Sequence, residues 1–225
     1  MSVLTKLPYK RIISYLLPLT IEQSFSSLNG QIKVILSDGQ YKISAGEAIQ
    51  SGGQALYLWQ QTFSSLKDHE FRLRPPATCL FLGLAGGNAV TLAHTYWPKA
   101  RLLAVDYDPV IVGLGRKYFT FSDLGSLQII IADARHWVSR SHRLFDCLFV
   151  DLYHGADIPA FALQKSFLTD LKKRLTPHGV IVFNYSIYQR GNQEIKQFKT
   201  ALHSIFPFCR HLSLPYNHVY LLGRG

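Results

Sequence analysis

Short apolar runs alternate with helix-periodic stretches through the last two thirds of the chain. Thr78-Cys79-Leu80-Phe81-Leu82 is long enough for one strand buried on both faces. It ends in Gly83-Leu84-Ala85-Gly86-Gly87-Asn88, after which residues 89–97 read as a helix. A second apolar run, Leu102-Leu103-Ala104-Val105, stops at Asp106. Residues 109–119 predict a helix with Pro109 in its first turn, where a missing N–H costs nothing. Strands are predicted over 127–131, ending at Asp133-Ala134, and over 145–150, ending at Asp151-Leu152-Tyr153. A helix over about 161–175 leads through a Pro177-His178-Gly179 turn into a strand at 180–183. A helix over roughly 193–205 and two closing strands, 209–214 and 218–222, complete the pattern. This alternation predicts an α/β fold with a doubly wound, mostly parallel sheet.

The front of the chain has a different texture. Residues 31–36, the Asp38-Gly39 turn and residues 40–44 alternate as a β-hairpin does, and 55–66 reads as helical. The organisation expected is an N-terminal segment (1–18), a small β-rich lobe with its linker (19–77), and a main domain (78–225). The linker proper is read at residues 66–77.

Glycines let a ligand approach the backbone without meeting a Cβ, and in an open α/β sheet ligands sit at the carboxyl ends of the strands. Here the first strand ends in the glycine turn, and the next three end at Asp106, Asp133 and Asp151. Three carboxylates are thus expected along one crevice, with Asp106 placed to accept bonds from ribose hydroxyls. Each has a plainer reading: Asp133 as a helix cap, Asp106 as a turn former.

Composition narrows the field. A hydrophobic fraction of 48% with 13% aromatics supplies a core and argues against disorder. No apolar run approaches the ~18 residues a bilayer crossing needs, so no membrane partner is expected. Residues 1–19 are too short and mixed for a signal peptide, with no small-residue cleavage pattern after Pro18. Cys79, Cys147 and Cys209 are widely spaced and form no CxxC, which suggests packing thiols and a cytoplasmic protein. A net charge of +10 admits a polyanionic partner, but the Lys and Arg are scattered and favour a solvated basic surface over nucleic acid. The histidines show no metal-ligand spacing, and neither a nucleophile elbow nor a P-loop is present, so no metal is expected.

Several motifs together resemble the spermidine/spermine synthase family, within the class I S-adenosylmethionine-dependent methyltransferase superfamily. They are the glycine turn, Val105-Asp106-Tyr107-Asp108-Pro109, Ala132-Asp133-Ala134, Val150-Asp151-Leu152-Tyr153, and Leu175 through Asn184. Asn29 through Val34 and Gly46 through Ser51 resemble its N-terminal lobe more faintly. The resemblance implies a seven-stranded sheet closing in a pair of strands, one antiparallel, rather than a second mononucleotide half. It implies S-adenosylmethionine or its decarboxylated form as co-substrate, an aminopropyl group moved to a small-molecule amine in polyamine synthesis, and a homodimer. Gly83, Ala85, Gly86 and Asn88 would pass beneath the donor's aminopropyl or methionine end. Asp106, with Tyr107 beside it, would hold the ribose, and Asp133 with the Ala134 amide the adenine edge. Asp151 would sit beside the sulfonium and the incoming amine. Gln50 and Trp59 from the lobe, with Tyr153 and Asp157, would line the acceptor side.

The chain departs from the family at two positions. Asn88 stands where an acid usually holds the amine end of the decarboxylated donor, and His154 where a second acid follows the one matching Asp151. His154 as a general base, with Asp157 as a substitute acid, keeps an aminopropyltransferase open. Methyl transfer from intact S-adenosylmethionine is the alternative, and a catalytically degenerate nucleoside-binding protein is the third.

Overall fold

The computed structural model describes residues 8–46, 48–67, 74–188 and 190–224. Residues 1–7 of the N-terminal segment and 68–73 of the expected linker lie outside the described residues. After a short helix α1 (Pro8–Ile13), four antiparallel strands follow in sequence order: β1 (Leu19–Ser26), β2 (Gly30–Ser37), β3 (Gln40–Ala45) and β4 (Ala48–Ser51). The hairpin read from the sequence is the β2–β3 pair, turning through Asp38 and Gly39, both at positive φ.

Helix α2 (Gly53–Lys67) leads to the main sheet. Its elements are β5 (Thr78–Leu82), α3 (Asn88–Tyr96), β6 (Arg101–Asp106), α4 (Pro109–Tyr118), β7 (Leu127–Ile131), α5 (Ala134–Arg140) and β8 (Phe145–Val150). They continue with α6 (Lys165–Lys173), β9 (Leu175–Ser186), α7 (Asn192–Ile205), β10 (Phe208–Ser213) and β11 (Asn217–Gly223). The seven strands lie in the order β10-β11-β9-β8-β5-β6-β7, with β5 to β9 mutually parallel and β11 antiparallel to both its neighbours.

Strand β5 shows why its run is apolar throughout. Leu80 and Leu82 pack on one face with Leu103, Val105, Leu148 and Val150. Cys79 and Phe81 pack on the other with Leu102, Ala104, Cys147 and Phe149. Cys79 and Cys147 are therefore buried thiols, and burial pushes the Cys79 thiol up to about 12. Helix α2, placed with the lobe from sequence, puts Trp59, Phe63 and Leu66 into this second core. A third core joins the small sheet to α4 through Ile32, Val34, Ile43, Ile111 and Leu114. At its edge Glu22 accepts from both Lys117 and Tyr118.

Two local expectations are revised. The helix expected over 161–175 is divided: Ala160–Leu163 forms a 3-10 turn, Gln164 is extended, and α6 then runs to Lys173. The turn expected at 177–179 lies inside β9, where pairing with β8 shifts register between Phe145 and Cys147. Asp146 accepts from Thr176 Oγ1 at 3.0 Å, which ties the irregular stretch to β8. Pro177, which cannot donate to a ladder, is accommodated at that irregularity.

Candidate functional site

The glycine turn is shaped by what lies beneath and above it. Gly83 has φ 89°, and a Cβ there would fall on the carbonyl oxygen of Asp151. Ala85 takes φ 44°, a left-handed conformation that costs a non-glycine residue about 1–2 kcal/mol. The Asp106 carboxylate offsets that cost from below. One oxygen accepts from the Leu84 and Ala85 amides at 2.8 and 3.2 Å, and the other accepts from the Asp108 amide at 3.0 Å. From above, Ser51 Oγ at the end of β4 accepts from the Gly86 amide at 2.6 Å. A Cβ on Gly86 would stand 2.6 Å from the Ser51 Cβ, so glycine is required for this close approach.

A narrow cleft opens between this turn and the lobe. It is lined by Gln50, Ser51, Trp59, Gly83, Asn88 and Asp151, among others. Asp151 lies at its base, partly open to the cleft and otherwise densely surrounded. Asn184 Nδ2 donates to one of its oxygens at 2.8 Å, and Trp59 Nε1 donates to the other at 3.2 Å. Asn217 Nδ2, from the start of β11, donates to Asn184 Oδ1 at 2.8 Å. A directed chain of amides thus runs from the C-terminal hairpin to the carboxylate. Burial pushes the Asp151 carboxyl above the usual carboxylate range, the Asn184 and Trp59 bonds pull it back, and the Asp106 charge adds to the rise. Burial also raises Asp106, against the amide bonds it accepts. Among the described residues neither carboxylate has a cationic side-chain partner.

The structure gathers some of the sequence candidates and separates others. Gln50, Trp59, Gly83, Asn88 and Asp151 meet at the cleft, whereas Ala85 packs against the third core and the Gly86 amide is taken by Ser51. Asp106 lies under the turn rather than in the cleft, because the turn's free amides are its nearest donors. Tyr107 is partly buried, and its hydroxyl donates to Asn29 Oδ1 at 3.1 Å. Asp133 caps α5 by accepting from the His136 amide at 3.0 Å, and Ala134 is buried behind it. Asp133 borders a separate groove, whereas Ala134 packs into the first core. Tyr153 packs against the first core with its hydroxyl 3.4 Å from the Asn184 carbonyl oxygen, and burial raises it well above the usual phenol range.

His154 and Asp157 are exposed and joined by their backbones in a tight turn through Gly155. Gln50 Nε2 donates to the Gly155 carbonyl oxygen at 2.8 Å and draws that turn toward the lobe. Sequence reasoning passed over Ser51, Asn184 and Asn217 as site residues. Asn184 was findable, since it follows the apolar run 180–183, whose Phe183 pairs with Val150 just before Asp151. Asn217, in a turn at the far end of the chain, carried no such signal.

The amide chain has a testable consequence. The Asn184 bond lowers the Asp151 carboxyl, so Asn184→Ala is expected to raise it further. The acid limb of a pH–rate profile is expected to move to higher pH with at least about a tenfold loss at neutral pH. An unmoved limb would show that Asn184 is only structural.

No family model matches this chain. Over 120 residues it is 28% identical to a probable polyamine aminopropyl transferase of Bifidobacterium longum, covering 53% of this chain and 26% of the relative. Over 154 residues it is 29% identical to the eEF1A lysine and N-terminal methyltransferase of Bos taurus, covering 63% of this chain and 22% of the relative. The crystal structure of spermidine synthase from Thermotoga maritima superposes with a TM-score of 0.72 at 16% identity, covering 92% of this chain and 73% of that one. The chain shares the fold of spermidine synthases and of S-adenosylmethionine-dependent methyltransferases. It spans about a quarter of the length of the two curated relatives. Among the described residues no helix is long and apolar enough to cross a membrane, and no group of three His, Cys, Asp or Glu could hold a metal ion.

Proposed function

We infer that this spermidine-synthase-like chain is a transferase that binds S-adenosylmethionine or its decarboxylated form in the cleft and moves an aminopropyl group to an amine. The observation that carries this is Asp151. In a protein of net charge +10 it is a densely surrounded carboxylate, without a cationic partner among the described residues, that shares the cleft with Gly83, Leu84 and Asn88 of the glycine turn. Such a group is costly to ionise unless a cation reaches it. The donor supplies that cation as a sulfonium whose adjoining carbon is open to in-line attack. Gly83, Asn88 and Asp151 line the cleft that would receive it, and Trp59 closes that cleft from the lobe. An alkyl amine near pKa ~10.4 must shed a proton before it attacks. Asp151, raised toward neutrality and fixed at both oxygens, can orient the amine and accept that proton.

A second reading rests on Asn88. It is neutral and stands first in α3, whose Gly87 cap offers no side-chain bond and whose first turn has no acid. Amides at a helix N-terminus favour an anion, hence a donor that keeps its carboxylate and transfers a methyl group. His154 and Asp157, exposed on their turn, offer a polycationic acceptor little buried charge.

Side-by-side calorimetric titration with the two donors separates the readings. Tighter binding of the decarboxylated donor supports aminopropyl transfer, and tighter binding of the intact donor supports methyl transfer. Binding of neither by a folded sample overturns both and leaves a degenerate binding protein.

A further inference from the structure

The seven-stranded sheet ends at β7, and α5 crosses back from that edge toward β8. Helix α5 buries Ala134 and Val138 against the first core, and its outer flank borders an open groove of about 540 Å³. The groove has Ile130 and Trp137 as its apolar surfaces, and Arg140, Arg143, His136 and His142 with the single carboxylate of Asp133 as its polar ones. No residue of this groove lines the donor cleft.

Its charge is unbalanced. Residues 133–143 hold three Arg and two His against one acid, Asp133, which borders the groove with one oxygen 4.0 Å from His136 Nδ1. Arg140 and Arg143 are exposed, and among the described residues neither side chain makes an ion pair. Arg140 lies in the last turn of α5, where the helix dipole favours a cation. Arg143 lies beyond the helix, where that explanation does not reach. Trp137 differs from the other tryptophans: Trp59 and Trp97 are 2% and 7% exposed, whereas Trp137 is only half-buried, its ring centroid 6.2 Å from that of Phe145.

We propose that this groove binds single-stranded nucleic acid, with phosphates on Arg140 and Arg143 and a base against Trp137. A guanidinium pairs phosphate oxygens through two parallel bonds, and an indole stacks any base. The groove is open rather than enclosed and its cations are spread along the helix and its tail, which suits an extended polyanion better than a compact anion. A net charge of +10 draws such a strand in from solution. The proposal does not depend on which donor fills the cleft, although Asp133, which the family resemblance assigns to the donor's adenine edge, borders the same groove.

Titration of the protein with an oligodeoxythymidylate of about 10 nucleotides, followed by tryptophan fluorescence, tests it. Saturable quenching is expected, and its loss in Trp137→Phe locates the strand. The double variant Arg140→Ala/Arg143→Ala is expected to bind about tenfold or more weakly. It should also flatten the dependence of log K on log salt by about 1.4, at ~0.7 per lost phosphate contact. Lys165→Ala/Lys196→Ala removes the same charge from exposed sites elsewhere and is expected to leave that slope unchanged. Absence of quenching overturns the proposal, as does equal weakening by the two double variants. Full competition by free adenosine monophosphate would make the groove a compact nucleotide site and overturn it equally.

Discussion

Asp151→Asn is expected to lower the transfer rate by about 10²–10⁴-fold, read as release of the nucleoside product from either donor. The variant keeps the shape of the side chain and the bond from Asn184, but it can neither pair with a sulfonium nor take a proton. Two pH dependences of opposite sign accompany the carboxylate. Burial raises Asp151 and Asp106 in the folded protein above their unfolded range. Between the unfolded and folded values the native state therefore holds more protons than the unfolded chain. Stability of the ligand-free protein falls as pH rises through that window. A bound cation favours the ionised carboxylate, so donor affinity rises with pH across the same window and binding releases protons. Calorimetry in buffers of different ionisation enthalpy measures that release. Asp151→Asn is expected to abolish most of it, while the part of the stability slope due to Asp106 persists. Full proton release in the variant would remove Asp151 from the donor site.

Gly83→Ala is expected to be the most damaging substitution for the fold, at about 2–4 kcal/mol. Two separate penalties act together. The φ of 89° is unsuited to an L side chain, and the new methyl group would meet the Asp151 carbonyl oxygen, which is backbone and cannot rotate away. That oxygen belongs to the residue whose amide donates to the Leu82 carbonyl at 2.8 Å, so relief would part β5 from β8 at the cleft. For a chain of this length the midpoint of thermal unfolding is expected to drop by about 5–15 °C. Gly113→Ala serves as the comparison, since it lies inside α4 with nothing near its added methyl group, and is expected to be neutral or mildly stabilising. Equal midpoints for the two variants would refute this account of the turn.

The two substitutions probe one construction. The backbone of Asp151 sets the closeness of Gly83, and its side chain receives Trp59 from α2 and Asn184 from β9. Gln50 and Ser51, at the end of the small sheet, reach across to the Gly155 turn and the glycine turn. The lobe is thereby hydrogen-bonded to both loops that flank the cleft. These contacts join residues 35 and 105 positions apart in sequence.

Much of the α/β pattern is local and so was legible in the residues themselves. Burial on both faces makes a central parallel strand apolar throughout, and β5 and β8 stand where those runs predicted; β7, the half-exposed edge strand, also stands where its own run predicted. The glycine turn and the acid ending β6 were readable for the same reason, since tight backbone turns restrict residue type. The irregular join of β8 and β9 was not. Thr176, Pro177 and Gly179 spell a turn locally, and only the bond to Asp146 and the neighbouring strand hold them extended.

The sequence also placed three acids at successive strand ends, but an acid's position does not say which donors it will meet. Asp106 turned to the amides of the glycine turn, Asp133 to the first turn of α5, and only Asp151 to the open cleft. The amide chain through Asn217 and Asn184, and the cationic groove beside Trp137, depend on strands and helices meeting at the sheet's two flanks. Chain order by itself thus determined the alternating strands, the glycine turn and the residue types at the strand ends, because each answers to its immediate neighbours. Tertiary packing decided which donors each carboxylate meets and that Asp151 is the one facing the cleft, because a side chain bonds to whatever the fold brings within about 3 Å.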